Sequence, residues 1–212
     1  MNETTLILVR HGQTDWNLQH RFQGQCDVPL NDHGRAQVAA AARRLAGVRP
    51  VALYCSDLVR CRETAEILGS VLGVAPTIAP ELRERSFGQV EGLTREEAVA
   101  RFPESWAQWS SNRDTWIPPG GESAGEAWGR VLGFTEKLWQ RHEGETVVIA
   151  GHGGPIKAII SRALGAPMSA RFAFAVSNGG ITTITRNAGG PTVAMLNETC
   201  HLGEPPGRVE AD

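Results

Sequence analysis

No run of apolar residues in this chain reaches the ~18–20 needed to cross a bilayer. No signal peptide precedes its first apolar segment. Neither sign of charge dominates: the net charge is −2, which removes any bulk attraction to nucleic acid or to anionic membranes. Lysine is nearly absent, with only Lys137 and Lys157, so arginine carries the positive charge. Among the cysteines, Cys26, Cys55, Cys61 and Cys200, no pair stands as Cys-x-x-Cys. Thiols without a pairing pattern, Cys55 among them inside an apolar run, fit a reducing compartment. Metal constellations are missing too: there is no His-Glu-x-x-His, no Walker motif and no zinc spacing. These absences leave a cytoplasmic protein as the expectation, with no metal, no cofactor, and no nucleic-acid or membrane partner. A homodimer stays open.

The 212 residues are ample for a full core. No linker, repeat or low-complexity block divides them. One domain is expected over residues 1–204, with a lid or insert at about 86–122 and a frayed tail at 205–212.

What is present is concentrated at strand ends. Thr5-Leu6-Ile7-Leu8-Val9 is an apolar run that stops at Arg10-His11-Gly12. Such a run, bounded by glycine, predicts a buried strand. Strands buried on both faces belong to parallel α/β sheets, which bind ligands beyond the strands' carboxyl ends. Arg10 and His11 stand at that position, one an anion clamp and the other a candidate nucleophile. Thr146 to Ala150 repeats the design, running into Gly151-His152-Gly153-Gly154. Pro155 then suits the first position of a helix, which sets His152 at an anion-binding helix N-terminus. A further strand, Ala52 to Ser56, leads into a helix carrying Arg60 in or near its first turn, with Ser56 or Asp57 as the expected cap. If these strands are neighbours, Arg10, His11, Arg60 and His152 converge on one tetrahedral anion.

The remaining pattern alternates strand and helix, which predicts the α/β class. Helices are expected from Asn31 or Asp32 to about Leu45, from Leu58 to Leu72, after the capping box Thr94-x-x-Glu97, and from the capping box Ser123-x-x-Glu126 to about Arg141. A short strand is expected near 77–79, and two final strands near 180–186 and 192–197. Residues 12–30 read as a polar loop and 103–120 as irregular. His20, His33 and His142 read as surface residues. Trp106, Trp109 and Trp116 read as packing for a lid.

At this point the chain resembles the histidine phosphatase superfamily, also called phosphoglycerate mutase-like. The match rests on Arg10-His11-Gly12 with Thr14, Trp16 and Asn17, then Phe22-Gln23-Gly24 and Pro29-Leu30-Asn31. It continues through Ser56-Asp57-Leu58 with Arg60, Leu82-Arg83-Glu84 with Gly88 and Glu91-Gly92, Gly120-Gly121-Glu122-Ser123, and Gly151-His152-Gly153. The ordered set is specific where a lone Arg-His-Gly would not be. The resemblance implies a three-layer α/β/α fold with a mixed, mostly parallel six-stranded sheet. It also implies roles. His11 is the nucleophile that takes up the phosphoryl group, and Arg10, Arg60 and His152 stabilise the phosphoryl oxygens. Glu84 is the general acid, with Glu81 and Glu91 as the first alternatives. Asn17, Gln23 and Gly153 bind the substrate. Arg21, Arg85 and Arg113 read first as surface charges, with binding of a substrate carboxylate as the alternative, and His201 is a candidate for a place near the pocket.

The expected activity is metal-independent hydrolysis of a small phosphorylated metabolite. The alternative is a cofactor-dependent phosphoglycerate mutase with the same catalytic residues. Family mutases carry a longer segment after the glutamate, whereas only about 35 residues separate Gly88 from Ser123. That difference favours the phosphatase. A phosphate-binding protein without catalysis is disfavoured, because such relatives usually lack a histidine or the acid. The end of the chain, Leu196 to Glu204, resembles that of metal-independent phosphoserine phosphatases, although Phe87 stands where some of those have histidine.

Overall fold

The computed structural model describes residues 3–112 and 115–203. Its strands are β1 (Thr4–Arg10), β2 (Ala52–Cys55), β3 (Pro76–Ile78), β4 (Thr146–Gly151), β5 (Ile181–Asn187) and β6 (Gly190–Glu198). Its helices are α1 (Asp15–Leu18), α2 (Asp32–Arg44), α3 (Val59–Leu72), α4 (Arg95–Arg101), α5 (Pro103–Ser111), α6 (Ala124–Arg141) and α7 (Gly153–Ala163). The strands form one six-stranded sheet in the order β3-β2-β4-β1-β5-β6. The pairs β3/β2, β2/β4 and β4/β1 are parallel, while β5 runs antiparallel to both β1 and β6.

Burial explains the apolar runs. Leu6 to Val9 and Val147 to Ala150 are buried residue after residue, because helices cover both faces. Ile7, Val9, Leu53, Cys55, Val148 and Ala150 pack on one side with Val38, Ala41, Ala65 and Leu68 of α2 and α3. Leu6, Leu8, Tyr54, Val147 and Ile149 pack on the other with Val131, Leu138, Ile156 and Ile160 of α6 and α7. Each such side chain contributes roughly 1.5–3 kcal/mol. The result is the three-layer α/β/α arrangement with a mixed sheet. It brings the carboxyl ends of β1, β2 and β4 side by side.

The capping boxes of Thr94 and Ser123 open α4 and α6 as the sequence predicts. Five local expectations are corrected. Neither Ser56 nor Asp57 caps α3: Leu58 holds the cap position, and the Val59 N–H donates instead to the Asp27 carboxylate at 2.6 Å. Helix α7 starts at Gly153, so Pro155 is its third residue rather than its first. Residues 103–111 form helix α5, and a short helix, α1, interrupts the 12–30 loop behind its own Thr14 capping box. His142 is buried, bonded to the Tyr54 hydroxyl at 3.1 Å and to Glu145 at 2.8 Å. His20 and His33 are exposed as read. Trp106, Trp109 and Trp116 form a separate buried cluster with Val90 and Ala98. Arg113 and residues 205–212 lie outside the described residues.

Candidate active site

The strand ends deliver the expected side chains to one place. Arg10, His11, Asn17, Gln23, Arg60, Glu84, His152 and Gly153 all line one cavity of about 440 Å³. His11 follows the last residue of β1, and its backbone N–H donates to Gly151 O at the end of β4. Its Nδ1 lies 2.8 Å from the Gly12 carbonyl. A carbonyl only accepts, so the proton sits on Nδ1 and Nε2 carries the lone pair. Gly12 is required for packing: a Cβ there would overlap the backbone of Gly34 in α2.

Three positive or potentially positive groups crowd His11, and the outcome is neutrality. Burial first, then Arg60 and Arg10, hold its pKa well below the ordinary 6.5. His152 is held well below 6.5 as well, again by burial first and then by Arg60. The two rings meet edge to face with centroids 5.3 Å apart.

Arg60 is 1 % exposed, yet no carboxylate among the described residues pairs with it. Its NH2 donates to the Gly24 carbonyl at 2.7 Å, its NH1 to the Cys26 carbonyl at 2.8 Å, and its Nε to His152 Nδ1 at 3.2 Å. A buried cation whose hydrogen bonds go only to dipoles is costly, and burial lowers the Arg60 pKa despite the charges of Glu84 and Asp27 nearby. Arg10 donates from NH1 to the Val176 carbonyl at 2.6 Å. An arrangement of this kind suits an anionic ligand.

The His152 contacts differ from the simplest expectation. Because Nδ1 accepts from Arg60, the ring proton lies on Nε2, which donates to Ser56 Oγ at 2.7 Å. In this arrangement His152 orients Arg60 and offers no proton to a ligand. Cys61 Sγ packs 3.3 Å from the same Nε2, and burial pushes its thiol up to about 12, which leaves it unreactive.

Glu84 reaches the cavity from the loop after β3. Its carboxylate accepts from the Gly154 N–H of α7 at 3.0 Å and from the Arg85 N–H at 2.8 Å. A Cβ at Gly154 would overlap Glu84 Oε1, so the motif's second glycine makes room for the acid. Glu81 and Glu91 do not line the cavity. Glu91 works behind the wall: its Oε1 accepts from the Gln25 and Phe87 N–H groups at 3.0 and 2.9 Å. Asn17 Oδ1 accepts from the Thr14 N–H at 3.1 Å, and Gln23 Oε1 from the Thr14 hydroxyl at 3.0 Å, so Thr14 fixes both amides.

The carboxylate candidates are otherwise engaged. Arg21 donates to the Gly92 carbonyl and pairs with Glu97, and Arg85 donates to the carbonyls of Glu122 and Trp116. His201 is not part of the cavity lining; its Nε2 donates to the Gly179 carbonyl at 3.0 Å. Sequence reasoning missed the loop before β5. Asn178 Nδ2 donates to the His11 carbonyl at 2.9 Å, and the Gly179 N–H to the Arg10 carbonyl at 3.1 Å. The Ser-Asn-Gly-Gly turn signal at 177–180 was readable, but nothing local shows that β5 runs backwards and brings its first residues to this end of the sheet.

Among the described residues, no group of three or more His, Cys, Asp or Glu is arranged to hold a metal ion. No described helix is long and apolar enough to cross a membrane.

Comparison with known proteins agrees with this geometry. Residues 6–199 match the family model for the histidine phosphatase superfamily, branch 1. A metal-independent phosphoserine phosphatase of Arabidopsis thaliana is 40% identical over 162 residues, 75% of this chain and 68% of that protein. A 2,3-bisphosphoglycerate-dependent phosphoglycerate mutase of a Methylobacterium species is 39% identical over 166 residues, 74% of this chain and 79% of that protein. Among solved structures, Bacillus stearothermophilus YhfR superposes with a TM-score of 0.88 at 31% identity, covering 94% of this chain and 99% of that one. With its arginines and histidines gathered at the ends of β1, β2 and β4, and with the family model matched from the first strand to the last, the chain belongs to the histidine phosphatase superfamily.

Proposed function

We propose that this chain is a phosphoric monoester hydrolase that cleaves a small phosphorylated metabolite through a phosphohistidine on His11, without a metal. One observation carries the reading: Arg60, buried and without a carboxylate partner, stands beside a neutral histidine whose Nε2 lone pair is left for the ligand.

Phosphoryl transfer is catalysed mainly by positioning and charge stabilisation. Arg10 and Arg60 neutralise the phosphoryl oxygens. The His11 Nε2 lone pair forms a bond to phosphorus while the ester P–O bond breaks. Glu84 gives its proton to the leaving oxygen, then takes one from the water that attacks phosphorus. The N–P bond breaks, and neutral His11 and inorganic phosphate result. Asn17, Gln23 and the N-terminal turn of α7 at Gly153 supply neutral donors around the phosphoryl group. An arriving phosphoryl group draws Arg60 Nε away from His152. By exchange with solvent His152 then loses its proton from Nε2, which accepts from the Ser56 hydroxyl, and gains one on Nδ1, which donates a hydrogen bond to an equatorial oxygen and keeps its proton.

The name of the Arabidopsis relative supports hydrolysis, and that of the Methylobacterium relative supports a second reading, a mutase that reorients a bisphosphate on the same residues. One assay separates them. With 3-phosphoglycerate, catalytic 2,3-bisphosphoglycerate and EDTA, we expect phosphate release to outpace formation of 2-phosphoglycerate. Faster interconversion would make the chain a mutase. With any substrate that turns over, acid quenching should trap acid-labile phosphate on His11, and His11→Ala should lose turnover while keeping its far-UV spectrum. Full activity in that variant would remove the nucleophile and the reading with it.

A further inference from the structure

The cavity is larger than its chemistry requires. At about 30 Å³ per water, 440 Å³ holds about fifteen non-hydrogen atoms, whereas a phosphoryl group fills only the cationic end. Much of the rest of the wall is aromatic. Trp16, Phe22, Phe87, Trp128 and Phe172 line it as partly exposed rings. Five of the six tryptophans in the chain, Trp16, Trp106, Trp109, Trp116 and Trp128, border this one space.

The outer cations do not compete with this surface; they extend it. Arg85 lies over the rings of Phe87 and Trp116, 5.5 and 5.2 Å from their centroids. Arg171 lies 4.2 Å from the Phe172 centroid and donates to the Met168 carbonyl. Arg95 covers Trp106 and Trp109. Lys157 is buried and has its own partner inside the protein. Glu84 and Glu96 also border the space, outnumbered there by the cations.

The geometry points to a substrate whose alcohol carries a flat, uncharged ring a few bonds from the ester oxygen, held by stacking in the aromatic half of the cavity. Small aliphatic monoesters have no ring to stack and fit this surface less well. The inference rests on the hydrolase reading for its phosphoryl end, and on the aromatic wall alone for its selectivity.

The test compares kcat/KM of the purified full chain on 2-phenylethyl phosphate, n-propyl phosphate and O-phosphoserine. These are primary alkyl esters, so the leaving groups make similar demands on Glu84. We expect phenylethyl to exceed propyl by about tenfold or more, the scale of one good aromatic contact with its buried area. Phosphoserine, which also lacks a ring, should fall below phenylethyl phosphate. Trp128→Ala and Phe172→Leu, the second keeping volume while removing the ring, should each cut the phenylethyl-to-propyl ratio at least threefold. Equal phenylethyl and propyl rates, phosphoserine as the best of the three, or a ratio untouched by both variants would overturn the ring preference and leave the hydrolase intact. If none of the three turns over, the hydrolase reading fails on them, and the phenylethyl-to-propyl ratio of affinities from calorimetry still decides the selectivity.

Discussion

The surroundings of His11 favour its neutral imidazole. Burial and two arginines place its pKa well below 6.5, so the lone pair on Nε2 survives into acid where a solvated histidine would be protonated. The His11 and His152 ring signals should therefore still report neutral imidazoles in NMR spectra at pH 6. An inflection at 6.5 on His11 would contradict the description of its site. A second prediction concerns Gly154. A methyl group there overlaps Glu84 Oε1, so Gly154→Ala should displace the acid without touching the nucleophile. The expected signature is that of Glu84→Gln: a loss on alkyl phosphates of roughly 10²–10⁴-fold at the upper end, with aryl phosphates, whose leaving groups need no proton, far less affected. Equal losses on both would show that Gly154 matters for the fold of α7 rather than for Glu84.

At the level of elements, Asp27 offers the sharpest test. It caps α3 from outside, across a gap of residues that no local pattern bridges. Asp27→Ala should cost about 1 kcal/mol of stability in urea titration, and it should raise KM because Arg60 sits in the first turn of the helix that loosens. Ser56→Ala should cost stability through its buried bond to His152 but leave the α3 cap intact, so hydrogen exchange at the Val59 N–H should quicken in Asp27→Ala and not in Ser56→Ala. The same contrast marks what was legible in the sequence. Strands β1 and β4 were readable because burial on both faces writes itself as unbroken apolar residues, and α4 and α6 because their capping boxes are local. The eight residues that share the cavity were nameable from strand ends and motif resemblance. Helix α5 carried a signal that went unused, Phe102, Trp106 and Trp109 at helical spacing behind Pro103. The Arg60 cradle, the link between His152 and Ser56, and the Asn178 brace were not legible, because each joins residues far apart in the chain through backbone carbonyls or a reversed strand.

For the molecule as a whole, the depressed histidines tie stability to pH. Above pH 6.5 both are neutral folded or unfolded, and their burial carries no proton-linked penalty. As pH falls below 6.5 the unfolded chain takes up protons that the folded one refuses, and each residue removes up to ~1.4 kcal/mol of stability per pH unit until its folded pKa is reached. Urea midpoints should drop between pH 7 and pH 5, and His11→Asn with His152→Asn together should flatten that slope; an unchanged slope in the double variant would assign it to other groups. The sheet order has another consequence, for how the protein is made. β1 lies mid-sheet, where Thr5 pairs with both Thr146 and Thr185. A ribosome adding ~5–20 residues per second leaves this apolar strand without either neighbour for roughly 7–28 s while the first of them is still being translated. Contacts so distant along the chain also slow folding itself. The segment that ends in His11 thus emerges long before it is enclosed, and residues 4–10 are the natural handle for a chaperone that holds extended apolar chain.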